Sequence, residues 1–357
     1  MKRRWLIIGV ILLFIGTYIV PSNAHDIEKP FLVSKGQWLY VGGSGEGNYT
    51  HIQDALDNAS DGDTVFVYED SSPYREIIVI NKSITLIGEN QETTIIEGFN
   101  KINQHIVQIN ANSVHIHRFT IQNSTYVPPY EWYYAIAISS DNNDISENIL
   151  TDNAGGILTI NELRNKIYDN VIRNGKSGCI AIYVECGGWN EIFNNTMSNI
   201  DCGITIYDNP YTGSVCNKVY GNNIVQIKYS GIYLKGSKYI KLYKNYISNA
   251  ETGIEIGSSR FCFVYFNEIK NCSVYGIDRY MTEFTFIMKN NLINNSCNAY
   301  FFGRWIVNKW SRNYWDDWHG LRYYTINGED YSMDPDYHAA VKQFDWLPAK
   351  EPYDIGI

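Results

Sequence analysis

Three acids recur at comparable places in the sequence. Glu162, Glu185 and Asp208 each follow a short apolar alternation, ending at Ile160, Ile182 and Ile206. If those segments stack on one another, the acids come to one flank, with Lys235 and Arg260 further along. Converging carboxylates are what cleavage of a glycosidic bond requires: one protonates the leaving oxygen, and another acts from the opposite side as base or nucleophile. The competing reading is that acids at loop edges form an ordinary solvated surface.

Aromatic residues make a second candidate site. The stretch "TYVPPYEWYYAI" (125–136) carries Tyr126, Tyr130, Trp132 and Tyr133, and Pro128-Pro129 turns it outward. Trp189 and Tyr211 stand in later loops. Flat rings on a rigid support are what sugar faces stack against, although rings folded back over an apolar seam would have the same composition. A third candidate is metal. His115 and His117 alternate with Val114 and Ile116, so both imidazoles project from one side of a strand. Such a pair chelates copper or zinc when a third ligand joins it. His25 would add a free amine if the chain were cleaved after Ala24. "GGSGEG" (42–47) lacks the Lys-Ser/Thr of a phosphate-binding loop.

The elements that position these residues repeat. "ISENILTDN" (145–153), "IYDNVIRNG" (167–175), "IFNNTMSNI" (192–200), "VYGNNIVQI" (219–227), "LYKNYISNA" (242–250), "VYFNEIKNC" (264–272) and "IMKNNLINN" (287–295) align without gaps. One ladder is Asn148, Asn170, Asn195, Asn222, Asn245, Asn267 and Asn290. A second, four residues later, is Asp152, Asn174, Asn199, Gln226, Asn249, Asn271 and Asn294. Asn143, Asn165, Asn190 and Asn217 form a third, five residues before the first. After each turn comes an alternation such as Ile204-Thr-Ile206 or Ile254-Glu-Ile256.

A period of this size marks a solenoid. A leucine-rich repeat would need Leu at the fixed positions and a helical stretch in every unit. Here the positions are Ile or Val, and no ten-residue amphipathic window occurs between 140 and 300. The pattern predicts an all-β, right-handed parallel β-helix of about nine or ten coils, with strands stacked roughly 4.8 Å apart. Asparagine suits its turns because it tolerates left-handed backbone and bonds locally, and stacked amides can bond along the ladder.

Both ends of such a stack need caps. Residues 25–74 form a lead-in containing a short helix, with Thr50 and Gln53 as a capping box and Ile52, Ala55, Leu56 and Ala59 on one apolar face. Coils are expected over 75–305, and an irregular C-terminal cap over 306–357. Residues 1–24 read as a signal peptide: Lys2, Arg3 and Arg4, an apolar run from Leu6 to Val20, then Ser22-Asn23-Ala24. No later segment is apolar for the length of a membrane span. Loss of the leader would take the net charge from −9 to −12, which disfavours nucleic acid and anionic membranes as partners. All seven cysteines remain after such cleavage, an odd number without zinc-site spacing, and they read mainly as small packing residues.

With its lead-in, its N-x-I-x-x-N/G-I-x-I coils and "NYWDDW" (313–318), the chain resembles the exported NosD-type β-helix proteins. These belong to the wider pectin-lyase-like group and are common in archaea. The resemblance covers roughly residues 40–357. It implies the fold strongly and the chemistry weakly, since the family includes a periplasmic factor for copper-site maturation in nitrous oxide reductase. The motifs of β-helix polygalacturonases (Asn-Thr-Asp, Gly-His-Gly) are absent; Asp316-Asp317 lies in the C-terminal cap, and "DPDYH" (334–338) only superficially resembles an epimerase signature. The expectation is a secreted or surface-attached scaffold. Its partner would be an extracellular polysaccharide or cell-envelope glycoconjugate. Two alternatives stand beside it: a glycosidase or lyase using Glu162, Glu185 and Asp208, and copper binding through His115 and His117. No cofactor is indicated.

Overall fold

The inward and outward alternation of Ile-x-Ile gives each strand one buried side, and its return once per repeat in parallel register stacks those sides into a coil. The computed structural model describes residues 36–99, 104–127, 131–208, 214–303, 308–320, 322–331 and 338–356. It is a right-handed parallel β-helix of about 12 turns. The first face runs from Trp38–Val41 to Lys309–Ser311, the second from Ile95–Glu97 to Tyr314–Trp315, and the third from Ile78–Ile80 to Tyr324–Tyr331. The turn count exceeds the nine or ten expected, because the terminal coils lack the asparagine repeat by which coils were counted.

On the third face Ile136, Ile157, Ile182, Ile204, Ile232, Ile254 and Ile277 lie in register, one per coil, and all are fully buried. Burying each such side chain contributes about 1.5–3 kcal/mol. Outside the first face, Tyr168, Phe193, Tyr220, Tyr243 and Tyr265 form a column of parallel rings with centroids 4.8–5.1 Å apart. All seven cysteines are free thiols, and burial pushes the Cys262 and Cys272 thiols up to about 12.

The asparagine ladders divide the work expected of each. Those of the first ladder are fully buried; from Asn170 to Asn290 each Oδ1 accepts the backbone N–H of the asparagine one coil earlier, at 3.0–3.1 Å, and Asn148 Oδ1 accepts that of Phe119. The second ladder carries the left-handed backbone, with φ from 52 to 57° at Asp152, Asn174, Asn199, Gln226, Asn249, Asn271 and Asn294. In the third ladder the buried Asn143, Asn165 and Asn190 receive or pass on the same kind of bond, at 2.8 Å.

The caps differ from expectation in chemistry. Helix α1 spans Ile52–Asn58 and buries Ile52, Ala55, Leu56 and, at its C-cap, Ala59. Its N-cap is His51 without a side-chain cap bond, so Thr50 and Gln53 form no capping box. Glu76 accepts the free N–H groups of Ile52 and Gln53 instead, both at 3.0 Å. A carboxylate from the next coil thus meets the positive end of the helix. At the other end, Lys82 Nζ donates to the carbonyls of Leu56, Asp57 and Ala59. Gln53 pairs with both backbone groups of Val79, closing the uncovered edge of the third face.

The C-terminal region holds a regular antiparallel pair, Tyr324–Tyr331 with His338–Asp345. Asn313 of "NYWDDW" is the last rung of the first ladder, and fully buried Asp345 ends it. Its carboxylate accepts the N–H groups of Arg312, Asn313 and Leu347, the Asn313 amide and Trp315 Nε1. A ladder that presents donors at its end needs a pure acceptor there, and a carboxylate is one.

Candidate functional site

The outward positions of the third face form continuous columns, because parallel pairing places every x of Ile-x-Ile above the last. One column reads Ala137, Leu158, Tyr183, Thr205, Tyr233, Glu255, Asp278 and Tyr300. Beside it stand Ile160, Glu185, Tyr207, Lys235, Gly257, Tyr280 and Phe302. The first column begins in a covered apolar cluster of Tyr134, Ala137 and Leu158 with Tyr183 against it. Beyond Thr205 it opens, and its polar groups gather.

Glu255 and Asp278 are register partners, hence one strand spacing apart, about 4.8 Å. Glu255 Oε2 accepts the Ser230 hydroxyl at 2.7 Å. Asp278 buries Oδ1 without a hydrogen-bond partner among the described residues. Burial first, then the charge of Glu255, pushes its carboxyl up to about 6. Tyr280 lies across Gly257 and reaches the Tyr233 hydroxyl at 2.9 Å. A Cβ at Gly257 would stand 2.0 Å from the Tyr280 ring, so glycine is what permits that crossing. Two tyrosines therefore bridge a coil alongside a carboxylate pair. Lys235 sits over the Tyr207 ring, 5.4 Å from its centroid.

Such a surface can hold a polyhydroxylated ligand: acids and phenols accept and donate to hydroxyls, and rings offer apolar faces. The first-face rings differ physically, since they stack on one another and cover each other's faces.

The acids singled out from sequence occupy three different columns. Glu185 lies outward between Ile160 and Tyr207. Asp208 is buried and follows Tyr207, one position off that column. Glu162 stands in the turn before Asn165 and shares a hydrogen bond with Asp141 of the preceding coil. Burial, that bond and the Asp141 charge push Glu162 up to about 7. The structure thus joins Glu162 to Asp141 rather than to Glu185. Glu255 and Asp278 were missed, although their signal was visible as the acidic x of Ile254-Glu255-Ile256 and Ile277-Asp278-Arg279.

Among the aromatic candidates, Tyr126 and Trp132 pair across a short hairpin, ring centroids 4.8 Å apart and both more than a third exposed. Trp132 lies against Gly178, just ahead of the third-face strand Ile180–Glu185. The Tyr133 ring meets His105 edge-on at 5.7 Å. Trp189 is exposed in a turn with φ +60°. Tyr130, Tyr211, His25 and the leader lie outside the described residues.

His115 and His117 sit on the first face beside Asp144 and Ser146. Asp144 stands 3.6 Å from His115, and burial lowers the His117 pKa. Among the described residues no three His, Cys, Asp or Glu side chains converge to hold a metal ion. Nor is any described helix long and apolar enough to cross a membrane.

Solved structures share the coil. A XylC complex with xylose superposes with a TM-score of 0.60 at 13% identity, covering 74% of this chain and 70% of that one. The pectate lyase Pel9A gives 0.56 at 12% identity, covering 80% and 81%. A lacto-N-biosidase from Eubacterium ramulus gives 0.52 at 12%, covering 76% and 64%. At these identities the likeness is one of fold. No curated protein matches the chain. The family described as "Periplasmic copper-binding protein (NosD)" matches residues 56–218 and 182–331, most of the coil, and the chain belongs to that family.

Proposed function

We propose that this protein is an exported β-helix scaffold whose third face binds an extracellular or cell-envelope glycan. One observation carries the reading: the carboxylate pair Glu255 and Asp278 is set in register on a rigid face and bordered by Tyr233, Tyr280 and Tyr300. The Tyr126–Trp132 hairpin beside Gly178 supplies a raised aromatic edge near the same face. Related coils support it, since one was solved with xylose and others are named as a pectate lyase and a lacto-N-biosidase. The family's description names copper, but the described residues give His115 and His117 no converging third donor, so no copper step is assigned.

A panel of neutral, amino-sugar and uronate oligosaccharides tests this, scored for retention and for new chain ends. The intact protein is expected to retain at least one class, and Tyr233→Ala and Trp132→Ala to weaken retention about tenfold, the loss of one stacking contact. Retention of none, or retention indifferent to both changes, refutes the reading.

A second reading has its own observation, the raised Asp278 beside Glu255. Asp278 would protonate the leaving oxygen while Glu255, at a spacing too short for an intervening water, attacks the sugar carbon; water that gives its proton to Asp278 then releases the sugar from Glu255. New ends should then form best below about pH 6, where Asp278 holds its proton, and vanish in Asp278→Asn. Retention without new ends would leave a binding protein.

A further inference from the structure

Inside the coil lies a cation with no ion pair among the described residues. Arg279 holds an inward position on the third face, in register between Ile256 and Phe301, and its side chain is fully buried. Nη1 donates to Thr282 Oγ1 at 2.8 Å, and the guanidinium stands 5.2 Å from the Phe301 ring centroid. Nε and Nη2 are buried and donate to nothing among the described residues. Thr285, three residues beyond Thr282, buries a hydroxyl in the same condition. Among the described residues no carboxylate comes within 4.0 Å of Arg279. The acid that acts on it is Asp278, its neighbour in sequence, whose side chain leaves from the opposite side of the sheet.

A buried guanidinium is held by a paired anion or not held well, because desolvation of the charge must be compensated. Its two unused N–H groups must also find acceptors. Water would answer the second need and leave the first. A small anion answers both, and the planar fork of Nε and Nη2 suits one that accepts from two donors at once. One guanidinium balances one negative charge, and Ile256 and Phe301 flank Arg279 in register on either side. We infer that Arg279 marks an internal site for a small monovalent inorganic anion, chloride in the first instance, bound by Nε and Nη2 within the coil.

The test uses the whole exported chain, exchanged from chloride into gluconate at equal ionic strength. Chloride is expected to raise Tm in a saturating manner, and at 100 times its Kd to raise the folded-to-unfolded ratio about 100-fold. Crystals grown in bromide should show an anomalous peak beside Nε and Nη2. Arg279→Met should abolish the chloride dependence while keeping the fold, since its register partners are apolar. Equal melting in chloride and gluconate, or a bromide map with no peak at Arg279, overturns the proposal. So does a chloride dependence that survives in Arg279→Met. The bromide map needs no variant, so a variant that failed to fold would leave the decision with it.

Discussion

Asn245 and Asn249 stand four residues apart in the same turn, and the structure predicts very unequal responses to truncation. Asn245 is fully buried. Its Oδ1 accepts the Asn222 backbone N–H at 3.1 Å and the Asn222 side-chain amide at 2.9 Å. Its Nδ2 donates to the Val219 carbonyl and to Asn267 Oδ1, both at 2.9 Å. Asn245→Ala therefore orphans the buried Asn222 N–H and takes a donor from Val219. Each unmade bond costs about 1–3 kcal/mol, so the change should cost about 3–5 kcal/mol once the small void is included. Asn249 is exposed and holds φ at 54°. Asn249→Ala loses only the tolerance of asparagine for that backbone, about 1 kcal/mol, and Asn249→Gly should be nearly neutral. Urea unfolding followed by far-ultraviolet circular dichroism separates the two. An Asn249→Ala penalty equal to that of Asn245→Ala would refute the division of labour between the ladders.

Three further outcomes follow from the same geometry. Asp345→Asn puts a donor in place of one carboxylate oxygen, where it faces two or three of the five donor groups, and should destabilise by about 3 kcal/mol or more, read in the same unfolding assay. Asp278→Asn should stabilise: a folded carboxyl raised from 3.8 to about 6 penalises the ionised form, fully above pH 6 and not at all below about pH 3.8. After discounting for partial exposure the gain is about 1 kcal/mol at pH 7, and a Tm difference from wild type that persisted at pH 3 would contradict it. Lys82→Met keeps the apolar stem but removes three donors from the end of α1, and should lower stability by about 1–2 kcal/mol with hydrogen exchange accelerated first in residues 52–58.

The site itself was legible only in part. Ile254-Glu255-Ile256 carries both an inward wall and an outward acid, but Glu255 meets a second carboxylate only when the coils stack. Glu162 and Glu185 both stand shortly after an apolar run, but Glu185 ends its strand in register with Ile160, which leaves Glu162 two residues further on and outside the strand. Asp141, the partner of Glu162, carried no signal, because the residues between coils vary in number and only folding brings those two turns together.

The sequence by itself determined the coil, because a period-2 apolar alternation recurring after each asparagine turn has one way to bury every isoleucine. It also placed the asparagines at the turns. Tertiary structure decided what stacking alone could bring about. It showed which ladder bonds and which bends, and that the donor chain closes on Asp345. It set Glu255 beside Asp278 across 23 residues of chain, and enclosed Arg279 with Nε and Nη2 unbonded among the described residues. Those outcomes depend on register between coils, a relation between distant residues that no local pattern contains.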